Sequence, residues 1–361
     1  MGLPHYSNLT LTLNGILGGV KEPFAPTELK ITVIGGGTGS FTLLSSLKNH
    51  TSQIAALVNM ADDGGSTGML RDELGVLPPG DVRQCLVALS NSPKVRDLFN
   101  YRFEEGSLKG HAFGNLFLTA LEKMTGDFAK GVELASEVLG VRGVVEPITL
   151  SNVTLVMNND YGQEVRGEYN ISELDFHGAR PDFHLDPEAE PNPRALRAIE
   201  TADIVVIAPG NLYGSLAPAL IVPGVGDALR RTKAYKVYVC NLVTKPGQTD
   251  GYDVSDFADE IERLAGGHFL DAVLYNTEAP SDELLDKYAK AGERSVAYDP
   301  VKLEHASFKS AGINLLAGSI WKGGSTADPI ASSRTLIRHD SDAAANAIID
   351  MYEYVRHRRR R

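Results

Sequence analysis

"ITVIGGGTGSFTLLSSL" runs from Ile31 to Leu47, and "LVNMADDGGSTG" follows from Leu57 to Gly68. Each is an apolar run that breaks into glycines, and in the first Phe41, Leu44 and Leu47 then fall on one helix face. Strand, glycine turn and helix together let backbone N–H groups approach an anion while the helix turns its positive end toward it. Gly35, Gly36, Gly37, Thr38 and Gly39 meet that requirement, with the helix expected from about Ser40. A tight strand–helix turn without ligand has the same local sequence. The dinucleotide pattern G-x-G-x-x-G is incomplete, because Ser40 stands at the third glycine. A Walker A loop is excluded, since no Lys-Ser or Lys-Thr follows.

Outward from this unit the strand–helix rhythm continues. "QIAALVN" reads as the next buried strand, ending at Asp62 and Asp63. Asp81, after Pro78-Pro79-Gly80, is placed to cap a helix over "VRQCLVALSN". "GNLFLTALEKMTGDFAKGVELASEVLG" reads as two helices divided at Gly126-Asp127. Between about 143 and 192 the texture changes. Alternation from Ile148 to Ile171, with turn signals at Asn158-Asn159-Asp160 and Gly162, predicts a β-hairpin excursion. "HGARPDFHLDPEAEPNP" then reads as a loop. The rhythm resumes with "ADIVVIAPGN", "KAYKVYVCNL" and, more weakly, "LDAVLYN". The expected fold is α/β, a Rossmann-like, doubly wound and mostly parallel sheet. Residues 29–352 form one domain in this reading, between an extension over 1–28 and a basic tail over 353–361.

Composition narrows the function classes. The 361 residues are 43% hydrophobic and 22% charged, and the net charge of −11 argues against a general nucleic-acid or anionic-membrane binder. Cys85 and Cys240 have no metal-type spacing, which fits a reducing compartment. Residues 1–28 lack a signal-peptide pattern, and "LTLTLNGILGGV" is too short and too broken by glycine to span a bilayer. The expected location is the cytoplasm, and the expected assembly a homo-oligomer.

Several other groups gather at predicted strand ends. Asp62 and Asp63 stand where a Rossmann site grips a ribose hydroxyl; adjacent carboxylates equally suit Mg²⁺, or open a turn before Gly64-Gly65. Gly65, Ser66, Thr67 and Gly68 extend the loop with donors. Arg83 can fork onto a phosphate or pair with Asp72 or Asp81. His111 and Asn115 sit in "GHAFGNL", where His111 is either an acid/base or a helix-turn support. His177 and His184 are weak metal candidates, and no H-E-x-x-H occurs. Gly210, Asn211 and Ser215 in "APGNLYGSL", with Thr244, Gly247, Gln248, Thr249 and Asp250 in "CNLVTKPGQTDGY", complete a convergent cleft.

These stretches, with "ADDGGSTGMLRDELGVLPPGDVRQCLVAL", "GHAFGNLFL" and "TGDFAKG", resemble the YvcK family of gluconeogenesis factors (UPF0052) over roughly 29–340. That family is related to the 2-phospho-L-lactate transferase CofD of coenzyme F420 synthesis. The resemblance implies a CofD-type α/β fold in a bacterial protein tied to cell shape, envelope synthesis and growth on gluconeogenic carbon. It also implies binding of UDP-N-acetylglucosamine (UDP-GlcNAc) without an established reaction. The tyrosine and arginine that the family ties to the nucleotide sugar match Tyr288 in "DKYAKAG" and Arg338 in "IRHD". Three readings follow: a nucleotide-sugar binding regulator; a Mg²⁺-dependent CofD-like phosphotransferase resting on Asp62 and Asp63; and an NAD-binding oxidoreductase, for which no His–Asp or Tyr–Lys pair has a convincing spacing.

Overall fold

A seven-stranded sheet, all of its pairings parallel, runs in the order β10-β9-β8-β7-β1-β2-β3. Its strands are β1 (Ile31–Gly35), β2 (Ile54–Val58), β3 (Val144–Pro147), β7 (Ile204–Ile207), β8 (Tyr235–Val239), β9 (Ala272–Asn276) and β10 (Lys309–Ile313). The computed structural model describes residues 28–158, 164–318 and 337–359. The turn expected at Asn159, Asp160 and Gly162 therefore lies outside the described residues, as do the extension up to residue 27 and the last two arginines.

The first eight helices are α1 (Gly37–Leu47), α2 (Gly65–Leu74), α3 (Gly80–Leu89), α4 (Pro93–Asn100), α5 (Phe113–Thr125), α6 (Phe128–Leu139), α7 (Glu168–Ser172) and α8 (Pro193–Thr201). After them come a π-turn at Leu212–Leu216, α9 (Ala217–Leu220), α10 (Val225–Arg231), α11 (Val254–Leu264), α12 (Asp282–Lys290), α13 (Pro300–His305) and α14 (Ser341–Arg359).

Why the sheet is covered on both faces follows from strand pleat. Ile31 and Val33 of β1, Val206 of β7 and Val237 of β8 point to one core, built with Leu43, Leu47, Leu86, Val132 and Ile348. Their neighbours Ile34, Val205, Ile207 and Tyr238 point to the other, built with Ile199, Leu216, Phe257 and Ile261. Strands apolar on both faces belong in the middle of an α/β sandwich. The Gly126-Asp127 division holds. Gly126 closes α5 in a left-handed conformation, and the Asp127 carboxylate caps α6 by accepting from the Lys130 N–H at 3.2 Å.

Local readings fail at five places. The helix after the glycine turn begins at Gly37, not near Ser40. Strand β2 stops at Val58, so Asp62 and Asp63 follow an irregular segment rather than end the strand. Helix α3 already begins at Gly80, which places Asp81 in its first turn rather than at its cap. The expected β-hairpin is present, β4 (Thr154–Asn158) pairing antiparallel with β5 (Glu164–Arg166), but the excursion extends further than expected, β6 (Asp182–Asp186) completing a three-stranded sheet in the order β5-β4-β6. Strand β6 lies in the segment read as loop, where Phe183 and Leu185 pack toward the second core between the flanking prolines; "GEYNI" forms α7 instead of continuing the alternation. Finally, α14 carries the arginine run on as helix, with Arg356 paired to Glu353 at 3.1 Å and Arg358 over the Tyr354 ring at 5.2 Å. Among the described residues no single helix is long and apolar enough to cross a membrane.

Candidate functional site at the strand-order switch

From β1 the chain winds one way to β2 and β3, and from β7 the other way to β8, β9 and β10. The crevice outside the carboxyl ends of β1 and β7 is thus the switch point at which open α/β sheets take ligands. The two turns there touch. A Cβ on Gly39 would overlap the Pro209 carbonyl oxygen, and one on Gly36 would lie 3.6 Å from the Ser215 Cβ. Asn241 holds the β7 turn in place: its Nδ2 donates to the Gly210 carbonyl at 2.7 Å, and its Oδ1 accepts from the Gly210 N–H at 3.3 Å. The Asn211 side chain accepts from the Gly214 N–H at 3.2 Å and caps the π-turn.

Two helices aim N-termini at this edge. Neither α1 nor α2 has a capping side chain on its own N-cap residue, which is Gly36 in one and Gly64 in the other. Gly65, with φ +47° and open space where a Cβ would stand, makes the α2 end accessible. The next residue, Ser66, is hydrogen-bonded through Oγ to His111 Nδ1 at 2.9 Å, and both are buried. Thr67 donates its hydroxyl to Asp62, whose Oδ1 also accepts from the Gly64 N–H at 3.0 Å.

The expected residues divide into those facing the cleft and those behind it. Asp63 accepts at both oxygens from backbone amides of α7, from Glu168 N at 3.1 Å and Tyr169 N at 2.8 Å. That contact tethers the excursion to the edge and delivers Glu168 against Gly214. Arg83 is buried, donating from Nε to Asn115 Oδ1 at 2.9 Å and from Nη1 to Asn100 Oδ1 at 2.5 Å, and its charge acts on Asp81, one of the two acids it was expected to pair with. Thr244 is tied to the Arg294 backbone. Tyr288 and the segment carrying Arg338 do meet: the Tyr288 hydroxyl accepts from the Ile337 N–H at 2.9 Å. Beside Arg338, His339 donates from Nε2 to the Cys240 carbonyl at 2.9 Å, which docks the segment just past the end of β8. Burial drives His339 down to about 4, so it is a neutral donor there.

Electrostatically the edge is dominated by carboxylates that sequence reading did not bring together. Glu168 is raised to about 7, by burial first and then by Asp62 and Asp63, with Lys245 opposing. Burial also raises Asp62. Asp81 stands well above the ordinary carboxylate range, through burial and the charges of Asp62 and Glu168. Lys245 is lowered by burial while Glu168 and Glu173 hold it up. Glu168 and Lys245 therefore join the candidate site although no motif pointed to them, and Asp81, read from sequence as a helix cap, joins them. Gly167, which precedes Glu168, stands at φ +94°, a conformation that favours glycine.

The adjacent acids Asp62 and Asp63 fit Mg²⁺ poorly as a pair, since both Asp63 oxygens already serve α7. Among the described residues no group of three or more His, Cys, Asp or Glu side chains is arranged to hold a metal ion. His177 and His184, the latter in β6 rather than in a loop, fall under the same statement.

Comparison with known proteins agrees with this architecture. The family model described as 2-phospho-L-lactate transferase CofD matches residues 31–320. The gluconeogenesis factor of Bacillus subtilis is 39% identical over 325 residues, covering 89% of this chain and 98% of that protein. A gluconeogenesis factor of Halalkalibacterium halodurans is also 39% identical, over 89% of this chain and 95% of its own. The crystal structure of a UPF0052 member from Bacillus halodurans superposes with a TM-score of 0.81 at 38% identity, covering 90% of this chain and all of that one. The chain belongs to the CofD family, in its branch of gluconeogenesis factors (YvcK, UPF0052).

Proposed function

We propose that this protein binds a nucleotide sugar, UDP-GlcNAc, across the carboxyl edge of the sheet, and acts in the cytoplasm as a binding regulator linking carbon metabolism to cell shape and envelope synthesis. The observation that carries the reading is the contact of the β1 and β7 turns at the switch point, beside the uncapped start of α2. A diphosphate there meets backbone donors and the positive end of a ten-residue helix. Arg338 and Lys245 supply cations, Tyr288 fixes the segment that carries Arg338, and Asp62 and Glu168 accept from sugar or ribose hydroxyls. The gluconeogenesis-factor names of the relatives support the link to carbon metabolism.

Isothermal titration with UDP-GlcNAc tests this. Lys245→Ala and Arg338→Ala should each weaken binding about tenfold, the value of one charge-assisted hydrogen bond. Wild-type affinity retained by both variants contradicts the reading. The alternative, a Mg²⁺-dependent phosphotransferase, is favoured by the carboxylates at the edge and by the description of the family model. It requires a product from nucleotide and acceptor panels with Mg²⁺, and an empty panel removes it.

A further inference from the structure

The Gly36–Gly37 turn is the feature of this chain that looks most like a phosphate seat, and a side chain of the protein already sits in it. The Gly37 N–H donates to the Asp81 carboxylate. A Cβ on Gly36 would overlap Asp81 Oδ2, and one on Gly37 would lie 3.0 Å from Asp81 Oδ1. Both oxygens thus lie over the start of α1, an eleven-residue helix whose own N-cap is a glycine without a side-chain acceptor. An anion belongs at such a helix end, and a carboxylate satisfies it as a phosphate oxygen does.

Two further facts separate this from an ordinary cap. Asp81 is held beside the like charges of Asp62 and Glu168, with Arg83 as the opposing cation, so its carboxyl is disfavoured as a charged occupant of the seat. The Ser40 hydroxyl, 1% exposed and with no hydrogen-bond partner, is turned back onto Gly35 in the same turn, an unused polar group under the seat. Asp81 itself comes from α3, which packs along α1, so the group in the seat is a side chain brought there by helix packing.

We infer that Asp81 is an internal competitor for the ligand's phosphate: its carboxylate fills the anion seat of the Gly36–Gly37 turn, and a diphosphate enters that seat only by replacing it. The inference deepens the proposed function and rests on it for the class of ligand. Asp81 then sets affinity and selects for ligands anionic enough to displace it, while the open α2 turn at Gly64–Ser66 offers the first foothold.

Titrations of inorganic pyrophosphate and of UDP-GlcNAc into wild type, Asp81→Asn and Asp81→Ser test it. Asn keeps the shape and removes the ionisable carboxyl; Ser vacates the seat and serves if the Asn variant does not fold. Relief of competition at a helix N-terminus predicts binding tighter by roughly 2- to 30-fold. Equal or weaker binding of both ligands to the variants overturns the inference and makes Asp81 a group that helps hold the ligand. If wild type binds UDP-GlcNAc but the variants gain nothing, only the competitor role fails. If pyrophosphate tightens while UDP-GlcNAc never binds, the competitor stands and the nucleotide-sugar reading fails.

Discussion

Replacing Glu168 by Gln should stabilise the protein above neutral pH and change little in acid. Glu168 goes from an ordinary 4.5 in the unfolded chain to about 7 in the fold, because burial and the charges of Asp62 and Asp63 disfavour its ionised form. Below about pH 4.5 the carboxyl is protonated in both states and contributes nothing. Between about pH 4.5 and pH 7 the folded protein keeps a proton that the unfolded chain has released, so stability falls as pH rises. Above that window the full penalty is present. The difference corresponds to about 3 kcal/mol as an upper limit. Residual solvent contact reduces it to about 1–2 kcal/mol. For a chain of this length each kcal/mol moves the midpoint by about 1.5 °C, so the variant should melt about 1–3 °C higher near pH 8. Thermal unfolding of both proteins in steps from about pH 5 to pH 8.5 reads this directly. The gap between the two curves must open with pH; a gap independent of pH, or one that closes, refutes the placement of Glu168 among like charges.

Gly39→Ala should cost about 3 kcal/mol or more, because the new methyl overlaps the Pro209 carbonyl and both turns are backbone. Gly65→Ala meets open space and should cost only the left-handed backbone penalty, about 1 kcal/mol; denaturant unfolding separates the two. Asp63→Ala removes two amide acceptors from α7 and should lose about 1–2 kcal/mol, with faster hydrogen exchange at Glu168 and Tyr169. His111→Ala leaves the buried Ser66 hydroxyl without its ring partner and should cost about 1–3 kcal/mol by the same melts.

What could be read from sequence was whatever lies within a few residues. The apolar runs, the glycine turns and the Gly126-Asp127 break each carry their own physics, and the order of strands around β1 then puts the turns of β1 and β7 side by side. The site's charges are different. Asp81 reaches Gly36 through helix packing, and Glu168 arrives on an excursion more than a hundred residues from the carboxylate that tethers it. No local spacing encodes either. Asp62 and Asp63, alike in sequence, take separate roles for the same reason: one faces Thr67 and Gly64, the other caps α7. The strand at Asp182–Asp186 was hidden by Pro181 and Pro187, although its Phe183 and Leu185 alternate as β6 requires.

A crystal of the complex with UDP-GlcNAc is the most direct test. The account predicts diphosphate density at the carboxyl ends of β1 and β7, within hydrogen-bond reach of the amides near Gly37 or Gly65. Density at any other face of the sheet, with these amides untouched, contradicts it.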